Sequence, residues 1–272
     1  MKFVIDLIRV LRVALLHLIY NIYPSLSLPK RAVIVAPHPD DEVIGCGGLI
    51  QALVERGTPP HVIILTGGEG SHRGCYDISA EELITGRHNL TIKAAETMGL
   101  PLSHIHCLQY PDGGVAIEHP ETERLAALLH ELGPDAIFVP HHGDGWSDHL
   151  KAAEIVKALI GMFNENEDED SKQNEDEDED EDSKQKRSAS LNSKLEIYEY
   201  CVWMWYYNVW DLRMKDAFLL RLTGKQHQLK QKAIEQYVTP LAPCGKPWSG
   251  VLPKPFLKAT KWDKEPYFRI NG

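Results

Sequence analysis

Residues Ala32–Ala36 read AVIVA, a run with no polar position on either side of a pleat. Side chains of a strand alternate between its two faces, so a strand made of these residues has to be covered on both. From Arg31 onward, short runs of this kind alternate with helical patterns. A helix over 47–55 is closed by Gly57, and a strand follows at His61–Thr66. A long helix over 81–98 stops at Gly99 and Pro101, a strand spans 105–109, a helix spans Glu121–Leu132, a strand spans 135–140, and another helix begins near His149. Strands and helices alternating at this spacing imply crossover connections, and so a Rossmann-like three-layer α/β/α domain with a mostly parallel sheet. A chain of 272 residues, 43% of them hydrophobic, can bury one such core.

Two regions stand outside that pattern. Residues 164–194 repeat EDEDSKQ at a twelve-residue step and hold almost nothing that could be buried, which predicts a disordered acidic insert. Strand-like, aromatic-rich sequence resumes at 195–205, so 30–163 and 195–265 read as one interrupted domain. The thirteen acids and one lysine of 165–182 exceed the whole formal charge of −10. The remainder is therefore close to neutral, so net charge argues neither for nor against a nucleic-acid partner, and none is expected. Residues 1–24 form the second region. On a helical wheel Lys2, Asp6, Arg9, Arg12, His17 and Asn21 share one half, while Leu, Ile, Val and Tyr fill the other. The charges interrupt the apolar run too often for a spanning helix or a cleavable signal. The segment reads as an amphipathic helix that either packs on its own domain or lies on a membrane surface, with Arg9 and Arg12 facing anionic lipid. Five cysteines, odd in number and widely spread, predict no disulfide and fit a reducing compartment. The expectation is a cytoplasmic protein, with peripheral contact at the inner face of the membrane if the helix is interfacial. Oligomeric state is not encoded in any feature of the sequence.

Chemistry concentrates at two strand ends. Pro37-His38-Pro39-Asp40-Asp41-Glu42 follows the first strand directly, and His141-His142-Gly143-Asp144-Gly145-Trp146-Ser147-Asp148-His149 follows the fourth. Open α/β sheets bind ligands at the carboxyl ends of their strands. Paired His/Asp clusters at one such edge supply the mixed nitrogen and oxygen donors that zinc prefers. The Gly45-x-Gly47-Gly48 run lacks the spacing of a dinucleotide-binding loop, and acids stand where a pyrophosphate would lie. Thr66-Gly67-Gly68-Glu69-Gly70-Ser71-His72 ends the second strand on the same edge and either shapes a pocket or is a plain turn. Trp203, Trp205, Tyr206, Tyr207 and Trp210 read mostly as core, with sugar stacking the alternative. Residues 225–232 read as a solvated basic helix face.

These residues carry a resemblance. Ala36-Pro37-His38-Pro39-Asp40-Asp41-Glu42 is similar to the first motif of the PIG-L/LmbE-like zinc N-deacetylases, and Trp146-Ser147-Asp148-His149 resembles their second. Arg87 with Gly99, and Tyr110-Pro111-Asp112-Gly113, match the segments between. The resemblance implies a zinc ion held by His38, Asp41 and His149, with Asp40 as general base and Asp148 orienting the site. It makes Arg87 and Asp112 substrate contacts and Glu42 a supporting residue. It implies removal of an acetyl group from an N-acetylglucosamine-type conjugate, with a lipid-linked form as an option. The chain departs from the family at Trp146, where many members have a histidine, and at Leu90, where a glutamate is common. His141 or His142 could take the missing histidine's part, although a packed or exposed histidine is the plainer reading of each. Two alternatives stay open: a zinc amidase for another small N-acylated metabolite, and a weakened member that binds a glycan.

Overall fold

A computed structural model describes residues 2–173, 195–207 and 209–270. Among these, five strands are parallel: β1 (Ala32–Ala36), β2 (His61–Thr66), β3 (Ile105–Tyr110), β4 (Ala136–Pro140) and β5 (Glu196–Tyr200). Two more, β6 (Ala217–Arg221) and β7 (Lys264–Ile270), extend the sheet antiparallel, giving the order β3-β2-β1-β4-β5-β7-β6. The antiparallel edge is a feature the sequence reading missed. β5 pairs with β4 from Ala136↔Glu196 to Pro140↔Tyr200, so the segments on either side of 174–194 belong to one sheet.

The β1 sequence accounts for the layering. Ala32, Ile34 and Ala36 enter a core with α2 (Asp41–Arg56) and α3 (Ala80–Met98), while Val33 and Val35 enter a second with α4 (Glu121–Leu132) and α5 (Ser147–Gln173). Both faces are dry, as a run without polar positions requires. Two further helices, α6 (Gly224–Val238) and α7 (Lys254–Ala259), complete the domain. The glycine run opens α2 to its neighbours: a Cβ on Gly45 would stand 2.2 Å from the Tyr200 ring, and one on Gly48 would stand 2.3 Å from Leu222. Helix α5 continues through Gln173, ten residues into the stretch expected to be disordered, and 174–194 lie outside the described residues.

The N-terminal helix α1 (Lys2–Tyr20) docks by the face opposite to the one its composition suggests. Arg12 is 3% exposed, and its guanidinium donates to the carbonyls of Met204, Trp205 and Val209. Val13, Leu16 and Tyr20 pack beside it in a third core with Trp205 and Phe268. The expectation that Arg9 and Arg12 face outward is therefore corrected. Three backbone carbonyls make the polar side the docking side, and Arg9 lies over the Tyr206 ring. Lys230, read as part of a solvated face, is also buried, 2.6 Å from Glu265 Oε1.

Two cysteines overturn the expectation that none pair. Cys75 and Cys244 form a disulfide across a sequence separation of 169. Cysteine spacing could not show it, because the partners meet only through the fold of everything between them.

Candidate metal centre and active site

β1 and β4 are neighbours in the middle of the parallel order, where the chain turns from building outward on one side to building on the other. Side chains at that crevice face one another across the sheet edge. There the structure brings together all seven residues expected from sequence.

Helix α2 starts at Asp41, six residues earlier than its hydrophobic pattern suggests, so Asp41 and Glu42 occupy a first turn whose free N–H groups favour anions. Asp40, just before it, has φ 120° and is the single non-glycine residue with positive φ among those described. Such a conformation costs about 1–3 kcal/mol and persists only where neighbours fix it. Here the Asp40 N–H donates to Glu42 Oε2 at 2.9 Å, and Arg87 donates to the Pro39 carbonyl, the Gly68 carbonyl and Asp40 Oδ2. Glu42 is held in turn by the Tyr237 hydroxyl at 2.6 Å.

The candidate ligand atoms surround one carboxylate oxygen. His38 Nδ1 and His149 Nε2 each lie 3.2 Å from Asp41 Oδ2. Donors sharing one tetrahedral zinc at about 2.1 Å sit roughly 3.4 Å apart. His149 is fully buried, and its Nε2 has no hydrogen-bond partner. A buried ring nitrogen without a partner is costly unless a ligand takes it, so this donor set fits a divalent cation. The far side of each imidazole is braced by a carboxylate. His149 Nδ1 is 2.9 Å from Asp144, which also accepts from the main-chain N–H groups of Val202 and Met204. His38 Nε2 is 3.2 Å from Asp148 and 3.3 Å from Asp112, and Asp148 accepts from Gly113 N. Carboxylates in this position fix the orientation and tautomer of a ligand histidine. Asp144 was missed as a functional residue, although it stood in the second motif five residues before His149.

The electrostatics follow from burial among acids. Burial would depress the histidines, but Asp112, Asp148 and Asp41 raise His38 well above its ordinary value, and Asp41 with Asp144 raises His149 to about 9. Burial lifts Asp40 to about 8 against the pull of Arg87, and lifts Glu42 to about 7 despite the Tyr237 hydrogen bond. Burial also acts to raise Asp41, but His149 and His38 outweigh it and hold that carboxyl far below the carboxylate range. The cluster is rich in negative charge that a cation would neutralise.

A cavity of about 490 Å³ opens onto this floor. His38, Asp40, Asp41, Arg87, Asp112 and Asp148 line it, and buried His149 stands behind Asp41, 3.2 Å from its Oδ2. Part of the lining is aromatic: Trp203 packs 5.6 Å from Trp146 and 4.7 Å from Phe256. Ser71 and Arg73 on one loop and Ser249–Val251 on another form the rim, and the disulfide joins those two loops. Neither His141 nor His142 lines the cavity. His141 is fully buried, accepts from Gly143 N and meets Asp211 at 2.8 Å, and His142 pairs with Glu199. Arg213 donates to both of those acids at 2.6 Å, so this second His/acid cluster already contains its cation.

Residues 33–160 match the family model described as PIG-L: GlcNAc-PI de-N-acetylase. That segment is a PIG-L/LmbE-like domain. Among curated relatives, diacetylchitobiose deacetylase of Thermococcus kodakarensis is 28% identical over 45% of this chain and 46% of its own length. The 1D-myo-inositol 2-acetamido-2-deoxy-alpha-D-glucopyranoside deacetylase of Corynebacterium glutamicum is 31% identical over 48% and 53%. The chain thus spans about half the length of the curated relatives it matches. Likeness of fold also reaches a protein named for a different reaction. The 4-carboxy-2-hydroxymuconate hydratase GalB of Pseudomonas putida KT2440 superposes with a TM-score of 0.59 at 15% identity, covering 89% of this chain and 97% of GalB. Fold alone therefore does not choose the reaction; the site must.

Proposed function

We propose that this protein is a metal-dependent hydrolase that removes the N-acetyl group from an N-acetylglucosamine-type sugar conjugate. The observation that carries the proposal is the convergence of buried His149 Nε2 and of His38 Nδ1 on one carboxylate oxygen of Asp41, each at 3.2 Å. His38, Asp41 and His149 would hold zinc, which when bound polarises an amide carbonyl and the water that attacks it.

The remaining steps belong to the chain's own groups. Asp40, which lines the cavity beside Asp41, takes the water's proton and returns it to the departing amine. Arg87 anchors Asp40 through its Oδ2 and the preceding carbonyl, and its place on the cavity wall, with that of Asp112, supports a contact to the sugar. Asp148 keeps His38 turned toward Asp41. The Trp146–Trp203 wall offers ring faces to a sugar. Names of relatives acting on N-acetylated amino sugars support this substrate class. Metal analysis combined with acetate release from N-acetylglucosamine conjugates tests the reading. It fails if the protein carries no stoichiometric divalent metal, or if metal-loaded protein releases no acetate.

A second reading, a weakened member that binds a glycan, is favoured by Trp146, since His38 is the one histidine lining the cavity. Glycan binding without turnover would select it. A lipid-linked conjugate belongs to the first reading, supported by the apolar surface of α1. The Cys75–Cys244 bond supports the oxidising side of a membrane over the cytoplasmic side.

A further inference from the structure

Docking α1 through its arginine side turns its aliphatic side to solvent. Leu7, Ile8, Leu11, Leu15 and Leu18 are all exposed, Leu11 by 60% and Leu18 by 67%. With Val4 and Ala14 they form an outward stripe at helical spacing that contains no charged residue. A second set of exposed apolar side chains lies on a segment bonded to the same helix. The segment at 209–214 is tied to α1 by Arg12 to the Val209 carbonyl and by the Tyr20 hydroxyl to the Asp211 carbonyl. Along it Trp210, Leu212 and Met214 are exposed, while Asp211 is buried between them. Exposed apolar side chains on two elements that are tied together mark an interaction site.

The charge around these side chains identifies the occupant. Helix α7 packs against α1, and residues 254–264 carry Lys254, Lys258, Lys261 and Lys264 against one acid, Asp263. Lys254, Lys258 and Lys261 are exposed. Lys264 Nζ reaches Asn21 Oδ1 at 2.6 Å, and Trp262 stacks on His17 at 3.8 Å, so the basic row runs along the C-terminal half of α1. No helix among the described residues is long and apolar enough to cross a membrane.

We infer that the outward face of α1, together with Trp210, Leu212 and Met214, is a docking surface for an anionic lipid bilayer, with the lysine row meeting the headgroups. Aliphatic side chains enter the interface, a tryptophan sits at the border, and basic residues contact the charge, the arrangement of an interfacial helix. The surface deepens the lipid-linked reading above and rests on it only for the substrate. Tyr206 links the docked side of α1 to the cavity wall, since it contacts both Arg9 and Trp203.

The test is co-sedimentation of the full chain with phosphatidylcholine vesicles, with and without phosphatidylglycerol. Wild type should pellet with the anionic vesicles. Leu11→Glu/Leu18→Glu should stay in the supernatant with an unchanged melting temperature, because both side chains are already in water. Leu11→Ser/Leu18→Ser serves if the charged pair fails to fold. Lys258→Glu/Lys261→Glu should lower affinity for anionic vesicles about tenfold or more and leave neutral ones unaffected. The proposal falls if wild type pellets with neither vesicle, or if the Leu11/Leu18 variants bind like wild type. It also falls if the protein is a dimer that these variants split and vesicles do not, since the face then belongs to a second copy. Acetate release from a water-soluble substrate should be the same in wild type and the Leu11/Leu18 variants. Normal vesicle binding by a chain without turnover would sink the deacetylase reading and leave this surface standing.

Discussion

Two clusters of histidines and acids follow β4, and they have opposite electrostatic completion. In one, Asp41, Asp144 and His38 surround His149, whose Nε2 has no hydrogen-bond partner. In the other, Asp211 and Glu199 surround His141, and Arg213 supplies the positive charge with short hydrogen bonds to both acids. Composition is nearly the same. What separates a metal candidate from a structural network is whether every donor and acceptor is already matched, a property that proximity alone does not reveal.

Substitution should separate the two clusters. His149→Ala should abolish stoichiometric metal and detectable acetate release, whereas His141→Ala should keep the metal and lose stability. Elemental analysis beside thermal melts reads both, and undiminished zinc in His149→Ala would erase the distinction. Asp40→Asn should retain metal and lose about 10²–10⁴-fold in kcat; a near-native rate at saturating substrate would pass the base role to another group. Asp144→Ala should weaken metal binding about 10–100-fold, while Asp211→Ala leaves it unchanged, which a chelator competition titration can measure. The smallest effect concerns acid. Burial raises Glu199, but His142, His141 and Arg213 outweigh it and hold the carboxyl at about 2. Its folded value is depressed, so its stabilisation is fully present above the ordinary glutamate range and is lost as pH falls from about 4.5 toward 2. In Glu199→Gln the melting temperature should fall less steeply across that window. Equal slopes would mean that the pairing is electrostatically idle.

The same contrast explains how much was legible. His38, Asp40, Asp41 and His149 lie in short motifs just after apolar strands, and the sheet edge gathers strand ends by topology, so local sequence was enough. The inward face of α1 was not legible. A helical wheel separates its two halves but cannot say which one finds a partner, and Arg12's acceptors are nearly two hundred residues away. Lys230 and Glu265 are hidden for the same reason, as are the antiparallel strands β6 and β7. Asp144 was visible in its motif but ambiguous, because its role lies in contacts to His149 and to two backbone N–H groups beyond the acidic stretch.

The Cys75–Cys244 bond makes most of the chain a closed ring. Everything between the two cysteines, from α3 to α6, with His149 and the acidic repeat, is inside it. A single cut anywhere in that span opens the ring without freeing either fragment. Treated with a protease that accepts the acidic repeat, the protein should run as one species until a reductant is added, and as two afterwards. Covalent integrity of the cavity rim is thereby uncoupled from continuity of the backbone at the most hydrophilic stretch of the molecule.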